Sequence, residues 1–211
     1  FSPDVVDAVG TSLSVSAGAT VFAALFGIPL GLLVGLSDFP LKRMVVTLLN
    51  TLMAVPTVVV GLLVYGFLSR QGPLGVLGLL FTPTAIVIGG VLLAAPIVAN
   101  YALASVRGAD PRIVPTALTL GAGRFQAVGT LVGEIRFGIL AAVIAGFGRV
   151  VSEVGVAMML GGNIRGYTRT MTTAIALETS KGEFSFGMAL GIVLMAVALV
   201  VNLFLSLLQR R

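Results

Sequence analysis

The sequence predicts an all-α, polytopic bundle of about five transmembrane helices, and three observations carry that prediction. Only 10% of the 211 residues are charged and 57% are hydrophobic, against about a quarter charged in soluble domains, which excludes a water-soluble fold. Five apolar stretches reach the roughly 20 residues needed to cross a bilayer as a helix: Leu13–Leu36, Met44–Leu68, Pro83–Ala104, Phe137–Leu160 and Phe186–Leu208. No run of about ten residues alternates apolar and polar as a barrel strand does. The chain, 1–211, reads as one membrane domain.

The elements follow in order. FSPDVVDAVGTS lacks the basic region and cleavage site of a signal peptide. Residues 1–12 are predicted as a short interfacial helix, with Ser2 as cap and Pro3 opening it. Gly27, Gly31 and Gly35 recur every four residues in the first span, forming a groove that admits another helix closely, and Pro29 predicts a kink. The groove serves either packing within one bundle or a dimer seam or moving contact. Gly187 and Gly191 repeat the spacing in the fifth span. The second span carries Thr47, Asn50, Thr51, Pro56 and Thr57. Asn50 and Thr57 are seven residues apart and share a face, and Pro56 breaks the backbone ladder beside them. Polar groups in hydrocarbon face the bundle or a wet cavity, so both are candidates for a translocation path or for interhelical hydrogen bonds.

SRQGPLGVLG reads as a turn-rich loop, and the third span, holding Pro83 and Pro96, ends near Asn100 and Tyr101. The fourth span places Arg149 and Glu153 four residues apart, close enough on one helical face to pair. Pairing makes their burial tolerable, either as a charged element beside a path or as a structural ion pair. Residues 161–185 are expected to form an outer loop or re-entrant segment. Gly161, Gly162 and Gly166 interrupt the helix there. Asn163, Arg165, Thr168, Arg169 and Thr170 supply donors suited to an anion, or else simply turn the chain. MTTAIALET is predicted as a short surface or re-entrant helix.

Net charge is +5, but no basic helix or aromatic-interleaved patch points to nucleic acid. The charges follow topology instead. Lys42, Arg43, Arg107, Arg112, Arg124, Arg136, Arg210 and Arg211 fall on one side of an alternating five-span chain, and Arg70, Arg165, Arg169 and Lys181 on the other. The richer side is expected to be cytoplasmic, with the N-terminus outside and the C-terminus inside. There is no Cys and no His, which removes disulfides, thiolate chemistry and the usual zinc and haem ligands and makes an intramembrane enzyme a poor reading. No convincing internal repeat supports a carrier driven by an ion gradient.

The polar stretch 107–136 has helix punctuation: Asp110 suits an N-cap and Pro111 a first helical position. Ile113, Ala117 and Leu120 give one apolar face, Gly121 and Gly123 turn the chain, and Arg124 to Val132 predicts a second short helix. A helical hairpin with an apolar face fits a groove on a soluble partner. TALTLGAGRFQAVGTLVGEIRFGILAAV resembles the EAA loop in the membrane subunits of type I ABC importers. The matching positions are Thr116, Ala117, Thr119, Leu120, Gly121 and Ala122, then Gly138, Ile139 and Leu140. FGRVVSEVGVAMMLGGNIRGYTRT is similar to the following helix and loop in the oxyanion branch of that family, at Phe147, Arg149, Glu153, Gly155, Gly162, Asn163, Ile164, Thr168, Arg169 and Thr170. MAVPTVVVGLLVY with SRQGPLG, and TTAIALETSKGEF, look most like the short tungstate permeases. Pro115 stands where the family often has Glu, and Gly133 and Phe137 replace prolines, so the glutamate's role is not carried over.

The resemblance, from about Leu13 to the C-terminus, implies a methionine- or molybdate-importer-like transmembrane domain in a prokaryotic inner membrane. It assigns ATPase coupling to Pro115, Thr116, Ala117, Leu118, Thr119, Leu120, Gly121, Ala122 and Gly123 within a cytoplasmic loop, 107–136. It further implies a homodimer, two ATPase subunits and an external oxyanion-binding protein. ATP and Mg would be bound by the ATPase partner, since this chain lacks the G-x-x-x-x-G-K-[ST] phosphate loop and carries no cofactor of its own. The implied cargo is tungstate, with molybdate and sulfate as the alternatives of similar charge and shape.

Overall fold

A computed structural model describes residues 3–209 and places ten α-helices there. Three cross a membrane by length and apolarity: α1 (Pro3–Leu36), α4 (Pro83–Gly108) and α10 (Phe184–Gln209). Two bent pairs pass the same test only when each is taken together, which gives up to five spans: α2 (Lys42–Met53) with α3 (Thr57–Leu68), at 97°, and α6 (Arg124–Glu134) with α7 (Arg136–Val151), at 69°. Three shorter helices are α5 (Ile113–Thr119), α8 (Gly155–Gly161) and α9 (Met171–Ser180).

Several expectations need correction. Residues 3–12 are not a separate interfacial helix but the first turns of α1, whose Val5, Ala8 and Ser12 are already buried. The proposed cap, Ser2, and the terminal Arg210 and Arg211 lie outside the described residues. The second span is two helices: Pro56 sits before α3 with an extended ψ of 131°, so the helical ladder stops at Met53. The fourth span is likewise interrupted, because α7 ends at Val151 and α8 begins at Gly155. In the polar loop, Asp110 and Pro111 do not open the helix. Asp110 accepts the backbone N–H of Arg112 at 2.9 Å, closing a turn, and α5 starts after Arg112. Helix α9 follows a Thr170 cap, and its first turn is buried rather than lying on a surface.

The centre of the fold is α1 against α4. A methyl added at Gly27 would lie 2.9 Å from the Ala95 carbonyl oxygen, one at Gly31 2.7 Å from Ala102 Cβ, and one at Gly35 2.8 Å from Val106 Cγ1. The glycine groove therefore packs α4 within the bundle. Gly187 faces Thr179 on α9, whereas nothing packs at Gly191. Helix α7 completes the centre through Ala142 and Val150 against Ala19, Ala23, Ala94 and Val98. A second core joins α3, α4 and α8 through Val64, Leu68, Leu93, Val156 and Leu160. Helix α10 packs on α9 and α7, with Leu190 against Val5 and Ala174.

Candidate translocation path and coupling segment

At the break between α7 and α8, the Glu153 carboxylate serves twice. Arg149 Nη1 donates to Glu153 Oε2 at 2.7 Å, so the predicted pair forms, although Glu153 lies beyond the end of α7. The other oxygen, Oε1, accepts the Val156 N–H at 3.1 Å, capping the first turn of α8 as a carboxylate at a helix N-terminus does. Thr172 on α9 donates its hydroxyl to the Glu153 carbonyl at 2.8 Å. Glu153 is 7% exposed and Arg149 31%, so a buried carboxylate is paired with a half-buried arginine. Ser12 on α1 accepts the Met171 N–H at 2.7 Å, and no buried side-chain N or O atom among the described residues is left unsatisfied.

Thr57 opens α3 at the same level. A methyl at Gly155 would lie 3.0 Å from Thr57 Oγ1 and 3.3 Å from Glu153 Oε1, so the two helix breaks meet and glycine is what lets them. Asn50 is not part of this meeting. It is exposed on α2, beside a cleft of about 560 Å³ that it shares with Met53, Asn100, Tyr101 and Arg107. There Asn100 donates its side-chain amide to the Met53 sulfur at 3.0 Å.

The segment after α8 turns on local hydrogen bonds. Thr168 is fully buried, donates to the Gly161 carbonyl at 2.5 Å and accepts the Ile164 N–H at 3.0 Å. Asn163 adopts a left-handed backbone, φ 52°, and its side-chain oxygen accepts from Arg169 Nε at 3.2 Å. Arg165 reaches back to α1 and grips Asp4 with two hydrogen bonds, 2.7 and 2.5 Å. Asn163, Thr168 and Arg169 thus gather in one turn, while Arg165 points to the α1 terminus.

The predicted coupling residues form a compact hairpin. Pro115, Thr116, Ala117, Leu118 and Thr119 lie on α5, and Leu120, Gly121, Ala122 and Gly123 make the turn into α6, with Gly121 at φ 91°. Gln126 Oε1 accepts the Gly123 N–H at 2.8 Å. Leu120 is 82% and Phe125 95% exposed, an unpartnered apolar tip. Ala127, Leu131 and Ile135 are buried and fix the hairpin's other side.

Sequence reasoning missed Ser12, Asp4 and Thr172. Ser12, Ser16 and Thr20 recur every fourth residue along α1, which was the available signal; the other two depend on distant partners. No cluster of three His, Cys, Asp or Glu residues able to hold a metal occurs among the described residues.

Residues 27–211 match the family described as the binding-protein-dependent transport system inner membrane component. The chain belongs to that family, the multi-pass inner-membrane permeases of ABC importers, which work with separate ATPases and binding proteins. It is 42% identical over 211 residues to the tungstate uptake system permease protein TupB of Peptoclostridium acidaminophilum, covering 99% of this chain and 92% of that one. It is 29% identical over 203 residues to the molybdenum transport system permease protein ModB of Escherichia coli K12, covering 92% and 88%. The fold matches inward-facing MetNI methionine ABC transporter structures with a TM-score of 0.82 at 17% identity, covering 98% and 95%. It also matches the crystal structure of a bacterial alginate-importing ABC transporter at 0.80 and 22%, covering 100% and 80%.

Proposed function

We propose that this chain is the transmembrane permease of an ATP-driven importer that brings a tetrahedral oxyanion, tungstate, into the cytoplasm. The observation that carries the reading is the 42% identity to a tungstate uptake permease across nearly the whole of both chains, against 29% to the molybdenum permease and 27% to the sulfate permease CysW of Escherichia coli K12. The working unit is a homodimer with two ATPases and an external binding protein. The N-terminus is outside, and the α5–α6 hairpin within loop 107–136 is cytoplasmic, as the distribution of Lys and Arg favours.

The hairpin is suited to coupling because its exposed apolar tip sits at the end of a lever. Leu118, Leu120 and Phe125 offer a small hydrophobic surface to a groove. Beyond the 69° bend, α7 carries motion towards Arg149 and Glu153. A change in hairpin position therefore acts on the point where α3 and α8 meet. Selectivity rests mainly on the binding protein. The path, with Asn50, Thr57, Arg149, Glu153, Asn163, Arg165, Thr168 and Arg169 as its candidate residues, needs modest positive potential and weak binding, since tight binding slows exit.

The test is ATP-dependent uptake of radiolabelled tungstate into proteoliposomes holding the permease, its ATPase and its binding protein. The expected result is accumulation that requires ATP and stops with vanadate. Uptake that ignores vanadate and follows an ion gradient overturns the reading.

A further inference from the structure

Helices α2 and α4 bring two matched polar stripes together, and this pairing is not accounted for by the coupling hairpin or the α7–α8 break. On α2, Arg43 and Asn50 are seven residues apart; on α4, Asn100 and Arg107 are also seven apart. Seven residues are about two helical turns, roughly 10 Å along the axis, so each pair lies on one face. The start of α2 lies beside the end of α4, since Arg43 and Arg107 share one cleft, and Asn50 and Asn100 share the next. Asn50, Met53, Asn100, Tyr101 and Arg107 line one cleft of about 560 Å³. Arg43 and Arg107 line an adjoining cleft of about 670 Å³ with Lys42 and Asp38, so three cations there face one carboxylate.

The polar groups in it are underused. Arg43 and Arg107 form no ion pair among the described residues, unlike Lys42, which holds Asp38 at 3.0 Å. The Asn50 side chain has no hydrogen-bond partner there, whereas the neighbouring Thr47 and Thr51 hydroxyls are spent on backbone carbonyls one turn back. Asn100 donates only to a thioether, a weak acceptor. Asn50 lies eight residues into α2, about 12 Å from its start, where an exposed amide must face water or a polar partner rather than lipid. The N-terminal end of α2 adds partial positive charge at the mouth. Amide donors at the base, two arginines above and an open entrance suit a tetrahedral oxyanion held by several N–H donors.

We infer that the α2–α4 cleft is an inner-mouth transit site for the imported oxyanion, with Arg43 and Arg107 drawing the anion and Asn50 and Asn100 hydrogen-bonding it on its way to the cytoplasm. This rests on the proposed transport function and its orientation. A lipid phosphate headgroup presents the same tetrahedral chemistry, and the test separates the two sources.

The experiment measures tungstate uptake by the reconstituted complex in vesicles of phosphatidylcholine alone and in vesicles with added phosphatidylglycerol. It compares the unaltered chain, the double variant Arg43→Gln/Arg107→Gln, the double variant Arg43→Lys/Arg107→Lys, and Lys181→Gln as a charge-removal control; each complex is first shown intact by size-exclusion chromatography. Charge-lined clefts raise local ion concentration by about ten- to a thousandfold. The double Gln variant should therefore lose roughly tenfold in uptake in both lipids, the double Lys variant should recover most of it, and the control should match the unaltered chain. Equal uptake by the double Gln variant and the unaltered chain in phosphatidylcholine overturns the site, and a difference confined to phosphatidylglycerol reassigns the arginines to headgroups. An unaltered complex that imports no oxyanion at all overturns the transport reading and this site with it.

Discussion

Thr172 donates its hydroxyl to the backbone carbonyl of Glu153 across 2.8 Å, joining α9 to the break between α7 and α8. The same glutamate receives Arg149 on one carboxylate oxygen and the Val156 N–H on the other. One residue thus ties three helices at the level where Thr57 opens α3.

Removing the Glu153 carboxylate leaves the Arg149 guanidinium without its counter-charge and α8 without its cap. Breaking one partner of a fully buried pair costs about 3–5 kcal/mol, and the half-buried Arg149 places this loss below that range. Glu153→Ala is expected to lower the thermal transition of the detergent-purified complex sharply, and Arg149→Met/Glu153→Leu to lower it less than Glu153→Ala does. A double variant as unstable as the single one would show that the pair's charge is not what the fold depends on.

The α1–α4 groove has no room for side chains. Gly31→Val is expected to cost about 1–3 kcal/mol through overpacking, because even one methyl there would lie 2.7 Å from Ala102 Cβ. Gly191→Val, where nothing lies within 4 Å, should change the folded yield little. Fluorescence size-exclusion chromatography of the two variants reads the difference; equal folded yields would contradict close packing of α1 on α4.

The two hydrogen bonds from Arg165 to Asp4 should hold the turn after α8 against the start of α1. Hydrogen exchange of the amides of residues 163–168 should be faster in Asp4→Asn than in the unaltered chain. Equal exchange in the two chains would show that the tie does not hold the segment.

Leu120 is 82% exposed at the hairpin tip, so Leu120→Asp should alter stability by no more than about 0.5 kcal/mol. If the tip seats in the ATPase, the same change should weaken that association by about 2 kcal/mol, roughly thirtyfold. Titration of the purified ATPase against the reconstituted permease reads the difference; unaltered association would remove Leu120 from the interface.

The bundle was legible in the sequence because lipid imposes a length on every apolar run, and five such runs are present. The helix breaks were harder. Pro29 and Pro96 lie inside unbroken helices, while Pro56 stands at a 97° bend, so proline alone does not decide where a span divides. Nothing at Ser152 to Val154 carries a glycine or proline; at the break there Glu153 serves as cap and counter-ion together. The Arg149–Glu153 pair was readable from a spacing of four. The Asp4–Arg165 pair, 161 residues apart, was not, because only the packed bundle brings its ends together.

The most direct test of the central claim is the tungsten, molybdenum and sulfate content of cells that express the cognate ATPase and binding protein, with and without this chain. Selective loss of tungsten uptake when the chain is absent is the predicted result. Loss of molybdenum or sulfate uptake with tungsten unchanged would contradict the assignment of tungstate, and no change in any of the three would contradict oxyanion import itself.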